Sequence, residues 1–165
     1  MHIPLPIHLS IHFILAVLAG FLVGRHYNKV KLGIIAGVIG GFFIDVDHIL
    51  EYFFAFGPHF NVTYFIQGRQ FLLSNRMILI FHAWEYAPIL LLAAWLVRRR
   101  QSLSVFILTL TFGAMVHLVT DCVLNNYPPR NYSILYRASQ GFSASRLLNP
   151  DQLEFNAELK QDLGL

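Results

Sequence analysis

Residues 30–56 read VKLGIIAGVIGGFFIDVDHILEYFFAF, an apolar run that becomes polar in its second half. A helix of ~20 apolar residues crosses the hydrocarbon core of a bilayer, so this run predicts a membrane-spanning helix. Four glycines in it have a spacing that favours close helix packing in lipid: Gly33, Gly37, Gly40 and Gly41. The polar side chains that follow are Asp45, Asp47, His48 and Glu51.

The composition of the whole chain agrees with a membrane protein. Hydrophobic residues make up 56% of the 165 residues and charged residues only 13%, whereas about a quarter of a soluble domain is charged. The single cysteine, Cys122, excludes an internal disulfide and a thiolate zinc cluster. Basic and aromatic residues form no stripe typical of nucleic-acid binding, so we expect no nucleic-acid partner. The N-terminal apolar run lacks a basic start, so we expect it to stay as a helix.

On either side of residues 30–56, three further segments are long and apolar enough to span a bilayer. The four predicted spans cover residues 7–24, 30–56, 77–97 and 103–124. We therefore predict an all-α, polytopic membrane bundle of about four transmembrane helices within residues 1–126, with a metal centre, followed by a polar tail over residues 127–165.

Basic residues are concentrated in the two short connectors between these spans. They are Arg25, His26, Lys29 and Lys31 in the first and Arg98, Arg99 and Arg100 in the second. The longer connector, residues 57–76, holds only Arg69 and Arg76. By the positive-inside rule, the two short connectors face the cytoplasm and both termini face the other side.

The tail begins with residues that end a helix: Tyr127, Pro128, Pro129 and Arg130. Near the C-terminus, Asn149 can cap a helix that has Pro150 at its first position and Asp151 behind it. Leucines would give this helix a partial apolar face, so we expect a short helix that lies on the membrane or on the bundle.

Each predicted span carries polar residues three or four positions apart, which lie on one face of a helix. The groups are His8 with His12, Asp45 with Asp47, His48 and Glu51, His82 with Glu85, and His117 with Asp121. Because successive spans alternate in direction, all four groups fall at the membrane face opposite the basic connectors. We therefore expect these side chains to converge.

Such a cluster needs a partner, because an ionised Asp within a spanning helix costs ~2.5–3.5 kcal/mol on insertion scales and neighbouring carboxylates repel. A divalent cation removes both costs. Histidine nitrogens with carboxylate oxygens suit zinc, manganese or iron, and two metals ~3.5–4 Å apart can hold a phosphate oxygen and activate a water. The alternatives are a proton or ion pathway and a buried hydrogen-bonded network without metal.

Residues 40–48, Gly-Gly-Phe-Phe-Ile-Asp-Val-Asp-His, resemble the Pro-Asp-x-Asp-His segment of the YdjM-like family of bacterial inner-membrane metal-dependent hydrolases. The order of motifs is similar as well: an early His, then Asp-x-Asp-His, then a His-led motif, then His-x-x-x-Asp. The resemblance covers residues 1 to about 125. Two places differ. Ile44 stands where the family has Pro, and His82-Ala-Trp-Glu85 stands where it has His-Arg-Gly-x-Thr-His-Ser.

The resemblance implies a location in the bacterial inner membrane. It also implies a helical bundle with a zinc cluster that hydrolyses phosphate esters, because the family is distantly similar to the zinc-dependent phospholipase C and single-strand nuclease fold. If Glu85 replaces the second His of the family motif, the metal-binding set is kept; if it does not, one site is lost.

We therefore expect a membrane-embedded, metal-dependent hydrolase whose substrate is a phospholipid or another phosphate ester. The expected cofactor is one to three Zn²⁺ ions, with Mn²⁺ or Fe²⁺ as alternatives. The expected ligands are His8, His12, Asp45, Asp47, His48, His82, Glu85, His117 and Asp121. Glu51 is the candidate general base. The candidate phosphate-binding residues are Arg69, Arg76 and Arg130.

Two other functions remain open. Helices that contribute Glu and His pairs are typical of di-iron carboxylate sites, which would make the protein a redox enzyme. The third possibility is a non-enzymatic metal- or proton-binding membrane protein, or a membrane subunit.

Overall fold

A computed structural model describes residues 4–165, and within them the protein is all-helical, as expected. No β-strand occurs in that range; one isolated bridge pairs Arg76 with Ser143. Short 3-10 turns cover Phe43–Asp45 and Pro129–Tyr132. The α-helices are α1 (Leu5–His26), α2 (Val30–Gly41), α3 (Val46–Phe56), α4 (Val62–Ile66), α5 (Arg69–Ser74), α6 (Tyr86–Leu96), α7 (Gln101–Leu124), α8 (Ile134–Ser139), α9 (Ala144–Leu147) and α10 (Pro150–Leu163).

Three segments of the described chain are long and apolar enough to span a membrane: Leu5–His26, Val30–Phe56 and Gln101–Leu124. They correspond to the first, second and fourth predicted spans. The second is interrupted by the 3-10 turn at Phe43–Asp45. The membrane bundle is therefore consistent with the structure, with three spans rather than four.

The third predicted span, residues 77–97, is wrong. Only α6 is helical there, and its 11 residues give a length of ~16 Å at 1.5 Å per residue, against a hydrocarbon core of ~30 Å. Pro88 gives the physical reason, because it has no N–H to donate and is tolerated only in the first helical turn. The helix therefore begins at Tyr86, and His82 and Glu85 do not share a helix face, because both precede its first residue.

The chain forms two compact units. The first comprises Met1–Ile44 and His82–Asn126, and the second comprises Asp45–Phe81 and Tyr127–Leu165. The division expected from the sequence, residues 1–126 and 127–165, stays a prediction about regions of the sequence.

In the first unit, α1, α2 and α7 pack against one another, and α6 packs against α7. The glycines of α2 permit this packing, as predicted. A Cβ placed on Gly37 would lie 2.6 Å from the Ala16 carbonyl oxygen, and one on Gly41 would lie 2.9 Å from the Ala16 Cβ. Because these neighbours are mostly backbone atoms that cannot turn aside, larger residues would force the helices apart.

In the second unit, α3 and α5 pack together, and a small apolar core forms around Met77 and Leu79 with Ala144 and Leu147. Both backbone polar groups of Leu79, the N–H and the carbonyl, form hydrogen bonds with side chains. The Glu51 carboxylate accepts from its N–H at 2.9 Å, and the buried Arg137 guanidinium donates to its carbonyl at 2.9 Å. Leu79 has φ +42°, a strained value for a non-glycine residue, and these bonds stabilise it.

The C-terminal helix forms as predicted. It begins at Pro150, Asn149 is its N-cap, and the Gln152 side chain accepts from the Asn149 N–H at 2.9 Å. The Asn149 side chain in turn accepts from the Gln152 N–H. This pair of reciprocal hydrogen bonds is a capping box. That the helix lies on the membrane or on the bundle stays a prediction.

Candidate metal centre

Six of the predicted ligands belong to the first unit, and five of these form a cluster of four imidazoles around one carboxylate. His8 and His12 lie one turn apart at the start of α1, and His117 and Asp121 lie one turn apart near the end of α7. His82 comes from the irregular segment before α6. Four of the five are almost completely buried: His12, His82, His117 and Asp121. His8 keeps 18% of its side chain exposed.

The Asp121 carboxylate is the centre of this cluster, and each of its oxygens faces a pair of imidazoles. Oδ1 lies 3.4 Å from the Nε2 of His8 and 3.1 Å from that of His12. Oδ2 lies 3.3 Å from the Nε2 of His117 and 3.6 Å from that of His82. Within each pair the two Nε2 atoms are close, 2.9 Å for His8 and His12 and 3.1 Å for His82 and His117.

Neighbouring groups fix the orientation of the ligands. The Nδ1 of His117 lies 3.0 Å from the Gly41 carbonyl oxygen. A carbonyl only accepts hydrogen bonds, so Nδ1 carries the proton and the Nε2 of a neutral ring has a free lone pair. The His12 ring stacks on the His117 ring with centroids 3.9 Å apart. Asn125 donates to Asp121 Oδ1 at 3.2 Å.

This arrangement fits a metal ion. With Zn–N bonds of ~2.0–2.1 Å, the ligand atoms of a tetrahedral site lie about 3.3 Å apart. Each Asp121 oxygen forms a triangle with its two Nε2 atoms, and the sides of the two triangles run from 2.9 to 3.6 Å. The Nε2 lone pair of a neutral His117 faces a carboxylate oxygen, and two acceptors at 3.3 Å need a proton or a cation between them. Buried His and Asp groups of the protein could therefore hold a metal ion, and these distances do not specify which one.

The other predicted ligands are Glu85 in the first unit and three residues of the second unit. Glu85 is half-buried and immediately precedes α6. Asp45, Asp47 and His48 belong to the second unit. There Asp47 is buried and its Oδ2 accepts from the Phe81 N–H at 2.9 Å, and the His48 Nε2 lies 3.6 Å from Asp45 Oδ1. Their roles as ligands stay predictions.

Glu51, the predicted general base, binds backbone amides within the second unit. Its Oε1 accepts from the N–H groups of Ile78 and Leu79. Its Oε2 is buried, and the described residues provide no hydrogen-bond partner for it. Glu51 therefore has a structural role in this unit, and its role as a base stays a prediction.

The three arginines predicted to bind phosphate all lie in the second unit. The Arg69 guanidinium stacks 3.9 Å from the Tyr64 ring centroid and donates to the Gln67 side chain. Arg76 is exposed, and Arg130 lies 5.6 Å from the Tyr136 ring centroid. Phosphate binding by these residues stays a prediction.

Sequence reasoning missed three residues that support these units. Asn125 follows Asp121 by four positions, so helical spacing could have identified it as a neighbour. Gly41 was noted for packing, but a backbone carbonyl acceptor leaves no sequence signal. Arg137 lies in the tail, where a lone arginine indicates a solvated residue, yet it is 1% exposed.

Comparison of the chain with protein-family models, with curated proteins and with solved structures gives no match.

Proposed function

We propose that this protein is a membrane-embedded, metal-dependent hydrolase that acts on a phospholipid or another phosphate ester. The observation that carries the proposal is the Asp121 carboxylate with four imidazole Nε2 atoms within 3.6 Å. Intramembrane ionisable groups are functional by default, because their burial in apolar surroundings is costly. Histidines with a carboxylate are the donor set of catalytic zinc sites.

In this proposal His8, His12, His82, His117 and Asp121 hold the metal. When bound, the metal supplies Lewis-acid polarisation of a phosphoryl oxygen and activation of a water. The Gly41 carbonyl keeps His117 in the tautomer that can ligate. Among these five ligands His8 has the most exposed side chain, so the substrate approaches from its side of the cluster.

The remaining predicted residues complete the proposal. Asp45, Asp47, His48 and Glu85 are further ligands, Glu51 is the general base, and Arg69, Arg76 and Arg130 hold the phosphate. We place the chain in a bacterial inner membrane, with the basic connectors in the cytoplasm and the cluster toward the other face.

The test uses full-length protein purified in neutral detergent. Elemental analysis gives the metal content, and hydrolysis is measured with bis-p-nitrophenyl phosphate and with phospholipid micelles. We compare wild type with His117→Ala and use His59→Ala as the matched control, because His59 is exposed. We expect wild type and the control to retain zinc and hydrolysis, and His117→Ala and chelator-treated wild type to lose both.

Other outcomes favour the rival functions. Iron with an oxo-bridge absorption would indicate a redox enzyme. Tightly bound metal with no hydrolysis of either substrate would indicate a non-enzymatic metal-binding protein. Protein that contains no metal, and whose melting transition chelator does not move, would overturn the proposal in favour of a buried proton-conducting or structural network.

A further inference from the structure

A second polar feature of the first unit lies at the connection between α1 and α2. An open cleft of about 680 Å³ is lined there by Arg25, Lys29 and Lys31, together with Asn28 and Ser102. The cleft shares no residue with the histidine cluster. Three cationic side chains around one cleft form a local positive field, which attracts anions.

The described part of the chain provides no counter-ion for these cations. In the first unit the acidic residues of the sequence are Glu85 and Asp121, and Asp121 is buried among the imidazoles. Among residues 4–165, no carboxylate pairs with Arg25, Lys29 or Lys31. The charge of the cleft is therefore available to a ligand.

The cleft lies where lipid headgroups are expected. All three candidate spans have an end beside it: the first ends at His26, the second begins at Val30 and the third begins at Gln101. On the connector that precedes Gln101, the Arg98 guanidinium stacks on Trp95, which is 56% exposed. Exposed Trp with Arg is typical of the membrane–water interface.

Backbone donors add to the positive charge. The first turn of α2 contributes Val30, Lys31 and Leu32 to the lining, and no side chain caps this helix end. Its free N–H groups and the helix dipole both favour an anion. Ser102, in the first turn of α7, adds a hydroxyl.

We propose that this cleft binds a phosphate group, carried by an anionic phospholipid or free in solution. Lys29 and Lys31 supply the charge that favours a phosphate with a net negative charge over a zwitterionic headgroup, and the first turn of α2 and Ser102 supply directional donors. The inference is independent of the proposed hydrolase, because it uses none of the residues of that site.

The test compares two double variants that remove the same charge from the same end of the unit. Lys29→Gln with Lys31→Gln empties the cleft of two cations. Arg99→Gln with Arg100→Gln is the matched control, because both arginines are exposed and neither lines the cleft. Full-length protein in neutral detergent is titrated with short-chain phosphatidylglycerol, with short-chain phosphatidylcholine and with inorganic phosphate at ~0.15 M salt. Binding is read by native mass spectrometry for the lipids and by calorimetry for phosphate.

We expect phosphatidylglycerol to bind at least tenfold more tightly than phosphatidylcholine. The lysine variant should lose about tenfold or more of this affinity and the arginine variant about threefold or less, with unchanged metal content in both. Phosphatidylglycerol binding without phosphate binding would identify lipid as the source, and binding of both would show that free phosphate suffices. Equal losses of phosphatidylglycerol affinity in the two variants would indicate a diffuse positive field without a specific site and would overturn the inference. The inference would also be overturned if neither phosphatidylglycerol nor inorganic phosphate bound.

Discussion

The two units bury polar side chains for different purposes. In the second unit, buried and half-buried side chains bond to backbone groups: Arg137 donates to the carbonyls of Asn131 and Leu79, and Glu51 accepts from the Leu79 N–H. In the first unit, the buried His12, His82, His117 and Asp121 face one another. In the first unit, the backbone N–H and C=O groups form their hydrogen bonds largely within its long helices.

The difference shows which buried polar groups require a ligand. When a buried side chain bonds to a backbone group that has no other partner, that bond accounts for its burial. The reason is that an unpaired buried N–H or C=O costs about as much free energy as a lost hydrogen bond. In the first unit, the imidazoles face the Asp121 carboxylate and one another, and His117 also bonds to the Gly41 carbonyl. This arrangement is stable only if protons or a cation lie between the acceptor atoms.

The largest effect is expected from Asp121→Ala. This substitution removes the two carboxylate oxygens that contact both pairs of imidazoles, so metal content should fall below about a tenth of wild type. The free energy of unfolding should fall by about 3–5 kcal/mol, because the buried imidazoles lose their partner. Elemental analysis and melting curves with and without chelator measure both effects.

The control for Asp121 is Asn125→Ala, which removes only one hydrogen bond to the same carboxylate and should cost about 1 kcal/mol with metal retained. If chelator lowers the melting temperature of Asp121→Ala as much as that of wild type, the metal is not held by this carboxylate.

Arg137→Met should also be strongly destabilising, by about 2–4 kcal/mol, because two buried carbonyl groups lose their donor. The defect relative to wild type should be the same with and without chelator, because the lost bonds go to backbone atoms. Denaturant titration under both conditions measures this. A defect that disappears in chelated protein would break the distinction between the two units.

Gly37→Leu tests the packing that brings α1 and α2 together. The new side chain meets the Ala16 carbonyl and the Gly20 backbone, and overpacking against atoms that cannot rotate costs typically about 1–3 kcal/mol. Ile35→Phe adds bulk on the exposed face of the same helix and should change the melting temperature little. Similar effects from the two variants would contradict the close approach seen at Gly37.

The smallest effect is expected from Asn149→Ala, which removes the N-cap of α10. The cost should be about 1 kcal/mol. Hydrogen exchange should show faster exchange in the first turn of α10, with no change in the exchange of α1 or α7. Altered exchange in those two helices would show that the cap supports more than its own helix.

Features that depend on local chemistry could be predicted from the sequence. Apolar length identified three spans, glycine spacing identified the close packing of α2, and Asn149 with Pro150 identified the start of α10. Helical spacing also paired His8 with His12 and His117 with Asp121 correctly. The third span was predicted too long, because the hydrophobicity of residues 77–97 favoured a long helix and the limit that Pro88 sets on its start was overlooked.

Which polar residues bond to the backbone and which face one another depends on contacts between residues far apart in the sequence. Arg137 and Leu79 are 58 positions apart, and His117 and Gly41 are 76 apart. No local pattern records such pairs. A backbone carbonyl has the same chemistry at every residue, so its choice of donor depends on where the folded chain brings the two together.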